Sequence, residues 1–235
     1  MTARITKLIA CLCTVLCLLG TLSACAAEKY DLLHTQTVGS LTYCVRGNRF
    51  RAKQLVIKSG EEIVFHEKVK VSKDVGSFGG TYGLSVSDLN FDGNPDVMIA
   101  DGIAGDCVSY ICWLWNANTN TFVRSEELTG LCNIKADEDL HAVFGFEHTF
   151  ETEQAYADAP EATISSDIAT KYEWKDGKLL PQTRVSITFY SESNLYCYSV
   201  SYYDAESGSF SDSDDKWLTP EEYAKQDMSF LYYFK

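Results

Sequence analysis

The sequence predicts an all-β protein built from antiparallel hairpins. Short runs rich in Tyr, Phe, Trp, Val and Ile, which favour strands, alternate with polar turns that contain Gly or Asn. Apolar residues at the 3.6-residue period of an amphipathic helix are scarce. The third observation is the loop DLNFDGNPD at residues 88–96, which leads directly into the apolar run DVMIA. Together these features predict short strands, tight turns and one carboxylate-rich loop between two of the strands.

The chain opens with a predicted export signal at residues 1–24. Arg4 and Lys7 precede the apolar run LIACLCTVLCLLG, which is too short for a membrane-spanning helix, and Leu-Ser-Ala-Cys stands just after it. This tetrapeptide resembles a bacterial lipobox. The resemblance implies that Cys25 becomes the first mature residue and carries a diacylglycerol, which anchors the protein to the membrane on the extracytoplasmic side of the cell envelope. The alternative is an ordinary secretory signal cut near Ala27, and in both cases the protein leaves the cytoplasm.

The mature chain is expected to consist of a tether and one domain. Residues 25–38 are polar, mixed in character and without a clear period, so they predict a lipidated N-terminal tether. Residues 39–235 have the length of a single domain. We therefore assign this stretch to one all-β domain.

The acidity of the chain excludes one class of partner. The formal net charge is −13 at pH 7. Nucleic acid is not expected as a partner, because binding it needs clustered Lys and Arg. The negative charge keeps the protein soluble, and it also favours attraction to metal ions or to a basic protein.

The expected strands follow one another along the chain, with a turn signal between most of them. QLVIK and EIVFH flank Ser-Gly-Glu, and YEW and KLL flank Lys-Asp-Gly, which are both hairpin signals. In the segment TPEEYAK, a short helix is expected with Thr219 as N-cap and Pro220 in the first turn. The runs assigned to strands are LTYCVRG, QLVIK, EIVFH, DVMIA, YICWLW, FVRSEEL, YEW, KLL, TRVSITFY and YCYSVSYY.

Two hairpins share a sequence pattern. WNANTNTF, from Trp115 to Phe122, matches YDAESGSF, from Tyr203 to Phe210, in its aromatic, Asn/Asp, Ser/Thr and Phe positions. The match predicts either two blades of a repeat architecture or two independent hairpins with the same turn chemistry.

Five cysteines remain after the signal peptide and the lipidated cysteine are set aside. An oxidising envelope permits disulfides, but an odd number leaves at least one thiol unpaired within the chain. We favour Cys132 pairing with Cys107 or Cys112, and buried free thiols are the alternative. The five are Cys44, Cys107, Cys112, Cys132 and Cys197.

The loop at residues 88–96 has the composition of a calcium site. Calcium takes roughly 6–8 oxygen ligands at about 2.3–2.6 Å, so carboxylates, an amide and a backbone carbonyl must converge from a short stretch. The glycine at position 93 permits the chain reversal, and the apolar residues between the ligands are free to face the core. A metal-free Asx-type turn would use the same residues. The predicted ligands are Asp88, Asn90, Asp92, Asn94 (through its backbone carbonyl) and Asp96.

The loop is not an EF-hand, because Ile99 occupies the position where that motif needs Glu. It resembles the DxDxDGxxD loop of FG-GAP and VCBS repeats, which joins two strands of a β-propeller blade. Phe78-Gly79 stands upstream as in FG-GAP, so residues 78–102 read as one such unit. The resemblance implies a small β-propeller-like fold with one bound Ca²⁺, and a β-sandwich is the alternative. Extracellular sites of this kind bind calcium at roughly 10⁻⁴–10⁻³ M, so the ion would hold a loop in shape.

The wider pattern of lipobox, DLNFDG loop and WLW strand resembles small bacterial envelope lipoproteins. Some of these are calcium-binding immunity proteins against peptidoglycan hydrolases, related to periplasmic inhibitors of invertebrate-type lysozyme. Those inhibitors insert a Ser-Gly-x-x-Tyr loop into the lysozyme cleft. Here Phe78 replaces the Ser, and the candidate partner-binding loop consists of Gly79, Gly80 and Tyr82. The alternative is that the glycines only permit a tight backbone approach before the calcium loop.

No enzymatic activity is expected. The chain has no GxSxG motif, no second His for HExxH and no P-loop. We therefore expect a binding protein, in its sharpest form an inhibitor of a peptidoglycan hydrolase. The alternative is a glycan- or peptide-binding lipoprotein that uses exposed aromatic side chains, although alternating aromatics also fit a core. The candidate platforms are Trp113, Trp115, Tyr202 and Tyr203.

Overall fold

A computed structural model describes residues 30–48, 51–72, 75–76, 78–153, 162–211 and 215–225. Strands dominate these ranges, and their ladders are antiparallel. The all-β fold of antiparallel hairpins that the sequence predicts is therefore confirmed. The predicted signal peptide and Cys25 lie outside the described residues. Among the helices of the described ranges, none is long and apolar enough to cross a membrane.

The chain divides into two compact units, one up to Gly83 and one from Leu84 onwards. This boundary lies inside the stretch 39–235, for which the sequence predicts a single domain. Each unit contains its own antiparallel sheet structure.

The first unit is a four-stranded sheet in which consecutive strands are neighbours. Gly39 and Gly60 lie in the tight turns of its outer hairpins at φ of 59° each, a conformation that glycine adopts at little cost. A short 3-10 turn, Phe78–Gly80, follows the sheet. The strands are β1 (Asp31–Val38), β2 (Leu41–Asn48), β3 (Arg51–Ser59) and β4 (Glu62–Lys68).

The prediction of a tether over residues 25–38 is wrong for its second half. Asp31–Val38 forms β1 and pairs antiparallel with β2 along its length. The alternation of side chains that would reveal a strand is interrupted by a bulge between Leu32 and His34. Because β1 is an edge strand with several exposed side chains, its sequence is also more polar than that of a buried strand.

The second unit contains two sheets. A four-stranded sheet has the order β5-β6-β7-β8, and a seven-stranded sheet has the order β14-β13-β12-β11-β10-β9, with β15 pairing to β13. The strands are β5 (Ser85–Ser87), β6 (Asp96–Ala104), β7 (Cys107–Asn116), β8 (Thr121–Arg124), β9 (Lys135–Asp137), β10 (Ala142–Glu153), β11 (Ala162–Lys175), β12 (Lys178–Tyr190), β13 (Leu195–Asp204), β14 (Ser209–Phe210) and β15 (Lys216–Leu218).

The main core of the second unit brings side chains of both sheets together. Leu89, Met98 and Cys112 from the region of the smaller sheet are buried in one cluster with Val143 of β10. Trp174 and other half-buried residues pack against the same cluster. The inner side of the loop at residues 88–96 packs against this core.

N-cap hydrogen bonds explain where two short helices of the described residues begin. The predicted helix at TPEEYAK is confirmed as α2 (Pro220–Tyr223), where Thr219 and Glu222 form a capping box. The segment FVRSEEL was predicted as one strand, but the strand β8 ends at Arg124 and α1 (Glu126–Thr129) follows. Ser125 stops the strand because its side chain accepts a hydrogen bond from the backbone N–H of Leu128, which caps the helix.

A disulfide joins Cys107 to Cys132, with the two Cα atoms 5.2 Å apart. This confirms one of the two pairings favoured from the sequence. Cys44, Cys112 and Cys197 are buried free thiols, so the alternative of buried thiols also holds for the remaining cysteines.

The sequence match between the two hairpins corresponds to a shared structure. Trp115 and Phe122 lie opposite each other in β7 and β8 with ring centroids 5.1 Å apart, and Tyr203 and Phe210 do the same in β13 and β14 at 5.5 Å. Both aromatic pairs are T-shaped. The residue after each first aromatic, Asn116 or Asp204, accepts a backbone N–H two residues later. The two hairpins therefore share their turn chemistry and lie in two different sheets, which fits two blades as well as two independent hairpins.

Candidate functional site

The loop at residues 88–96 joins β5 to β6, two antiparallel neighbours of the smaller sheet. This agrees with the prediction that the loop lies between two strands. Gly93 has φ of 85°, which allows the chain to reverse. Pro95 has no backbone N–H to donate, but it lies just before the first residue of β6. The hydrogen-bond ladder of that strand is therefore not interrupted.

The outer part of the loop is a set of turns closed by side-chain oxygens. Asp88 accepts the backbone N–H groups of Asp92 and Gly93, at 3.1 Å to Oδ1 and 2.7 Å to Oδ2. Asn90 Oδ1 accepts the same N–H of Asp92 at 3.2 Å. Asp92 Oδ1 accepts the backbone N–H of Asn94 at 2.9 Å. Four of the five predicted ligands therefore lie together on one turn, with Asp92 exposed to solvent.

The fifth predicted ligand, Asp96, points inward and is fully buried. Its Oδ2 accepts the backbone N–H of Leu89 at 2.8 Å, and its Oδ1 accepts that of Trp115 at 2.7 Å. Burial raises the pKa of the Asp96 carboxyl to about 7. The two backbone N–H groups oppose this rise, and the negative charges of Asp92 and Asp88 add to it. The carboxyl of Asp96 therefore holds its proton more firmly than an exposed aspartate does.

The residues fit a calcium ion in their chemistry. All the candidate groups are oxygens, the ligands that calcium prefers, and in the described ranges the three aspartates take part in no ion pair. Within the same ranges, no three side chains among His, Cys, Asp and Glu are placed to hold a metal ion by themselves. A calcium ion would therefore need the amide and carbonyl oxygens as well as the carboxylates. The same hydrogen bonds also suit a metal-free turn, so the calcium site stays a prediction.

The inner side of the loop is apolar, as the sequence pattern predicts. Leu89 is buried in the core of the second unit, and its carbonyl oxygen accepts a hydrogen bond of 2.8 Å from Nε1 of Trp174. Phe91 packs against His141, with ring centroids 5.5 Å apart. The loop therefore has a polar outer side and a packed inner side.

Trp174 was not identified from the sequence as part of this site. It lies 85 residues from Leu89 in the chain, so no spacing rule connects the two. Its position before a predicted Lys-Asp-Gly turn marks it only as a strand residue. The contact becomes visible only when the sheet that contains β11 is placed against the loop.

A cavity of about 400 Å³ borders the outer side of the loop. Asn90 and Asp92 line it from the loop, and Leu114, Asn116 and Val123 line it from the β7–β8 hairpin. The cavity lies beside the loop because the hydrogen bond from Trp115 to Asp96 holds the β7–β8 hairpin next to the loop.

The candidate partner-binding loop forms a strained turn in the first unit. The φ angles are 46° at Phe78, 69° at Gly79, 91° at Gly80 and 57° at Tyr82. Thr81 closes the turn, because its side chain donates to the Phe78 carbonyl at 3.0 Å and accepts from the backbone N–H of Gly83 at 3.2 Å. The described turn thus exposes its two glycines and Thr81.

Tyr82 does not share this exposure. Only 7% of its surface is accessible, so its ring is packed within the fold. The prediction that Tyr82 contacts a partner together with Gly79 and Gly80 needs correction on this point, since a buried ring offers no contact surface. An aromatic side chain at positive φ is costly, and its burial compensates for that cost.

The predicted aromatic platforms fall into different environments. Trp113 is fully buried and belongs to the core. Trp115 and Tyr203 are half-buried, each against its hairpin partner. Tyr202 is 63% exposed and is the one of the four that remains available as a platform.

No known family model matches the sequence, and no curated protein is similar to it in sequence. Among solved structures, the chain is similar to one described as "Structure of a Xanthomonas Type IV Secretion System related protein". The identity is 12%, the similarity covers 79% of this chain and 97% of that chain, and the TM-score is 0.48. A likeness this distant carries no inference about function.

Proposed function

We propose that this protein is a binding protein of the bacterial cell envelope, lipid-anchored at Cys25 and stabilised by a calcium ion in the loop at residues 88–96. More specifically, we propose that it binds and inhibits a lysozyme-like peptidoglycan hydrolase, as an immunity protein would. The proposed arrangement of its hairpins is a small β-propeller-like fold, with a β-sandwich as the alternative. The proposal includes no catalytic residues.

The observation that carries the proposal is the strained turn from Phe78 to Tyr82, which exposes Gly79, Gly80 and Thr81. Two non-glycine residues in it have positive φ, at a cost on the order of 1–3 kcal/mol each. Such strain persists where the surrounding structure fixes it, and it clusters at sites that contact ligands. A fixed turn loses little conformational freedom when it enters a cleft, so more of the contact energy appears as affinity.

The charge of the protein supports a basic partner. A net charge of −13 would accelerate association with a positively charged hydrolase and disfavour acidic proteins. Inhibition by such a mechanism should weaken as salt screens the long-range attraction.

The test is an inhibition assay against lysozymes of several classes and bacterial muramidases. Gly79→Ala should weaken inhibition by about tenfold, because Ala at a φ of 69° strains the turn although its Cβ would meet no atom within 4 Å. Gly60→Ala is the matched control, since Gly60 has φ of 59° and equal free space in a different turn. Failure to inhibit any hydrolase, or equal inhibition by both variants, would contradict the proposal.

The second candidate is a glycan- or peptide-binding lipoprotein without inhibitory action. It is favoured by the exposure of Tyr202 on β13, at 63%, and of Trp217 on β15, at 52%. Exposed aromatic rings stack on sugars and on peptide side chains. If this candidate is correct, purified peptidoglycan should retain the protein, Tyr202→Ala should lower the retained fraction, and hydrolases should remain fully active.

A further inference from the structure

We propose that Trp174 is a positioning residue for the calcium loop, and that it couples calcium binding to the packing of the β11–β12 hairpin. The inference rests on the calcium site proposed above and assigns it a role beyond local loop stability. Trp174 acts through the backbone of Leu89, because its Nε1–H donates to the Leu89 carbonyl oxygen.

Both backbone groups of Leu89 are held from outside the turn. Its N–H donates to Asp96 at 2.8 Å, and its carbonyl oxygen accepts from Trp174 Nε1 at 2.8 Å. Leu89 stands between Asp88 and Asn90, two predicted ligands, so the orientation of its peptide groups sets the direction of both neighbouring side chains. Fixing Leu89 therefore fixes the spacing of the first oxygen donors.

The side chain of Leu89 belongs to a buried cluster against which the same hairpin packs. Leu89 is 1% exposed, and Trp174 and Leu179 pack against the buried cluster to which it belongs. Trp174 on β11 and Leu179 on β12 are cross-strand partners. The tip of the β11–β12 hairpin thus donates one hydrogen bond to Leu89 and packs against the buried cluster that contains it.

A second anchor holds the loop two residues further on. Phe91 has φ of 60°, an unfavourable conformation for a bulky residue, and its ring lies 5.5 Å from that of His141. The strained backbone places the N–H of Asp92 towards Asp88 Oδ1. Packing on the inner side therefore maintains the turn that gathers the oxygens on the outer side.

Binding an ion on the outer side favours the loop conformation that makes these inner contacts. Calcium binding should strengthen the inner contacts by some factor. By thermodynamic reciprocity, loss of those contacts should lower the affinity for calcium by the same factor. Partners in the shell around metal ligands typically change metal affinity by about 10–100-fold when removed.

Calorimetric titration of the purified protein with CaCl₂ tests the coupling. Trp174→Phe keeps an aromatic ring but removes the N–H donor, so it should weaken calcium binding by about tenfold. Trp217→Phe, an exposed tryptophan in the same sheet, should bind as the wild type does. Equal affinity of all three proteins would overturn the coupling and leave the calcium site intact. If the wild type bound no calcium, both proposals would fail.

Hydrogen exchange on the wild type provides a readout that needs no variant. Calcium should slow exchange at the hairpin tip, around Trp174 and Leu179, by about tenfold. The far end of the same hairpin, around Ser165 and Phe189, should be unaffected, because it lies many residues away along both strands. Unchanged exchange at the tip in a calcium-bound protein would overturn the coupling even if Trp174→Phe failed to fold.

Discussion

The backbone N–H of Trp115 donates a hydrogen bond of 2.7 Å to Oδ1 of Asp96, 19 residues earlier in the chain. The other oxygen of the same carboxylate accepts the N–H of Leu89 at 2.8 Å. One fully buried side chain therefore ties the start of β6 both to β7 and to the beginning of its own loop. The acidic residue that ends the motif has a structural role whether or not an ion is bound.

Asp96→Asn should lower the free energy of unfolding by about 1–3 kcal/mol in the presence of EDTA. An asparagine retains one acceptor oxygen, so one of the two buried N–H groups would lose its partner. Urea denaturation measures the change. Asp92→Asn, at an exposed position of the same loop, should change stability by less than about 0.5 kcal/mol, and equal effects of the two substitutions would argue against this role for Asp96.

The disulfide should make a separate contribution to stability. Replacing Cys107 and Cys132 together with Ser should lower the free energy of unfolding by about 2–4 kcal/mol, because the bridge closes a loop between residues 25 apart in sequence. Thermal melting of the double variant and the wild type tests this. The side chain of Asn133 also bridges this region, donating to the carbonyl oxygens of Asp106 at 2.8 Å and Phe146 at 3.0 Å. An unchanged melting temperature would mean that these hydrogen bonds suffice.

The thiol of Cys112 should be unreactive in the folded protein. Burial raises the pKa of Cys112 to about 12, and the negative charge of Asp96 adds to the rise. The reactive thiolate is therefore almost absent at pH 8. Peptide mapping after alkylation at pH 8 should show no modified Cys112 without denaturant and complete modification in guanidinium chloride. Rapid modification under native conditions would contradict the burial of this side chain.

The sequence was sufficient for most of the hairpins because their signals are local. The Lys-Asp-Gly turn, for example, is found between β11 and β12, with φ of 51° at Asp176 and 76° at Gly177. The same applies to α2, where Thr219 and Glu222 form the cap within one turn of chain. Local hydrogen bonds and φ preferences leave a recognisable pattern in the sequence.

Features that depend on distant parts of the chain were missed. The partner of Leu89 is Trp174, and no property of either residue alone indicates the other. Tyr82 was expected at a contact surface, but packing within the fold buries it. The strand at Asp31–Val38 was missed because its pairing with β2, rather than its own composition, makes it a strand.

Thermal melting of the protein with and without calcium tests the central claim most directly. If an ion holds the loop between β5 and β6, millimolar CaCl₂ should raise the melting temperature by about 5 °C over EDTA, through preferential binding to the folded state. Asp92→Ala should abolish the rise while the variant remains folded in EDTA. Identical melting temperatures of the wild type in calcium and in EDTA would contradict the claim.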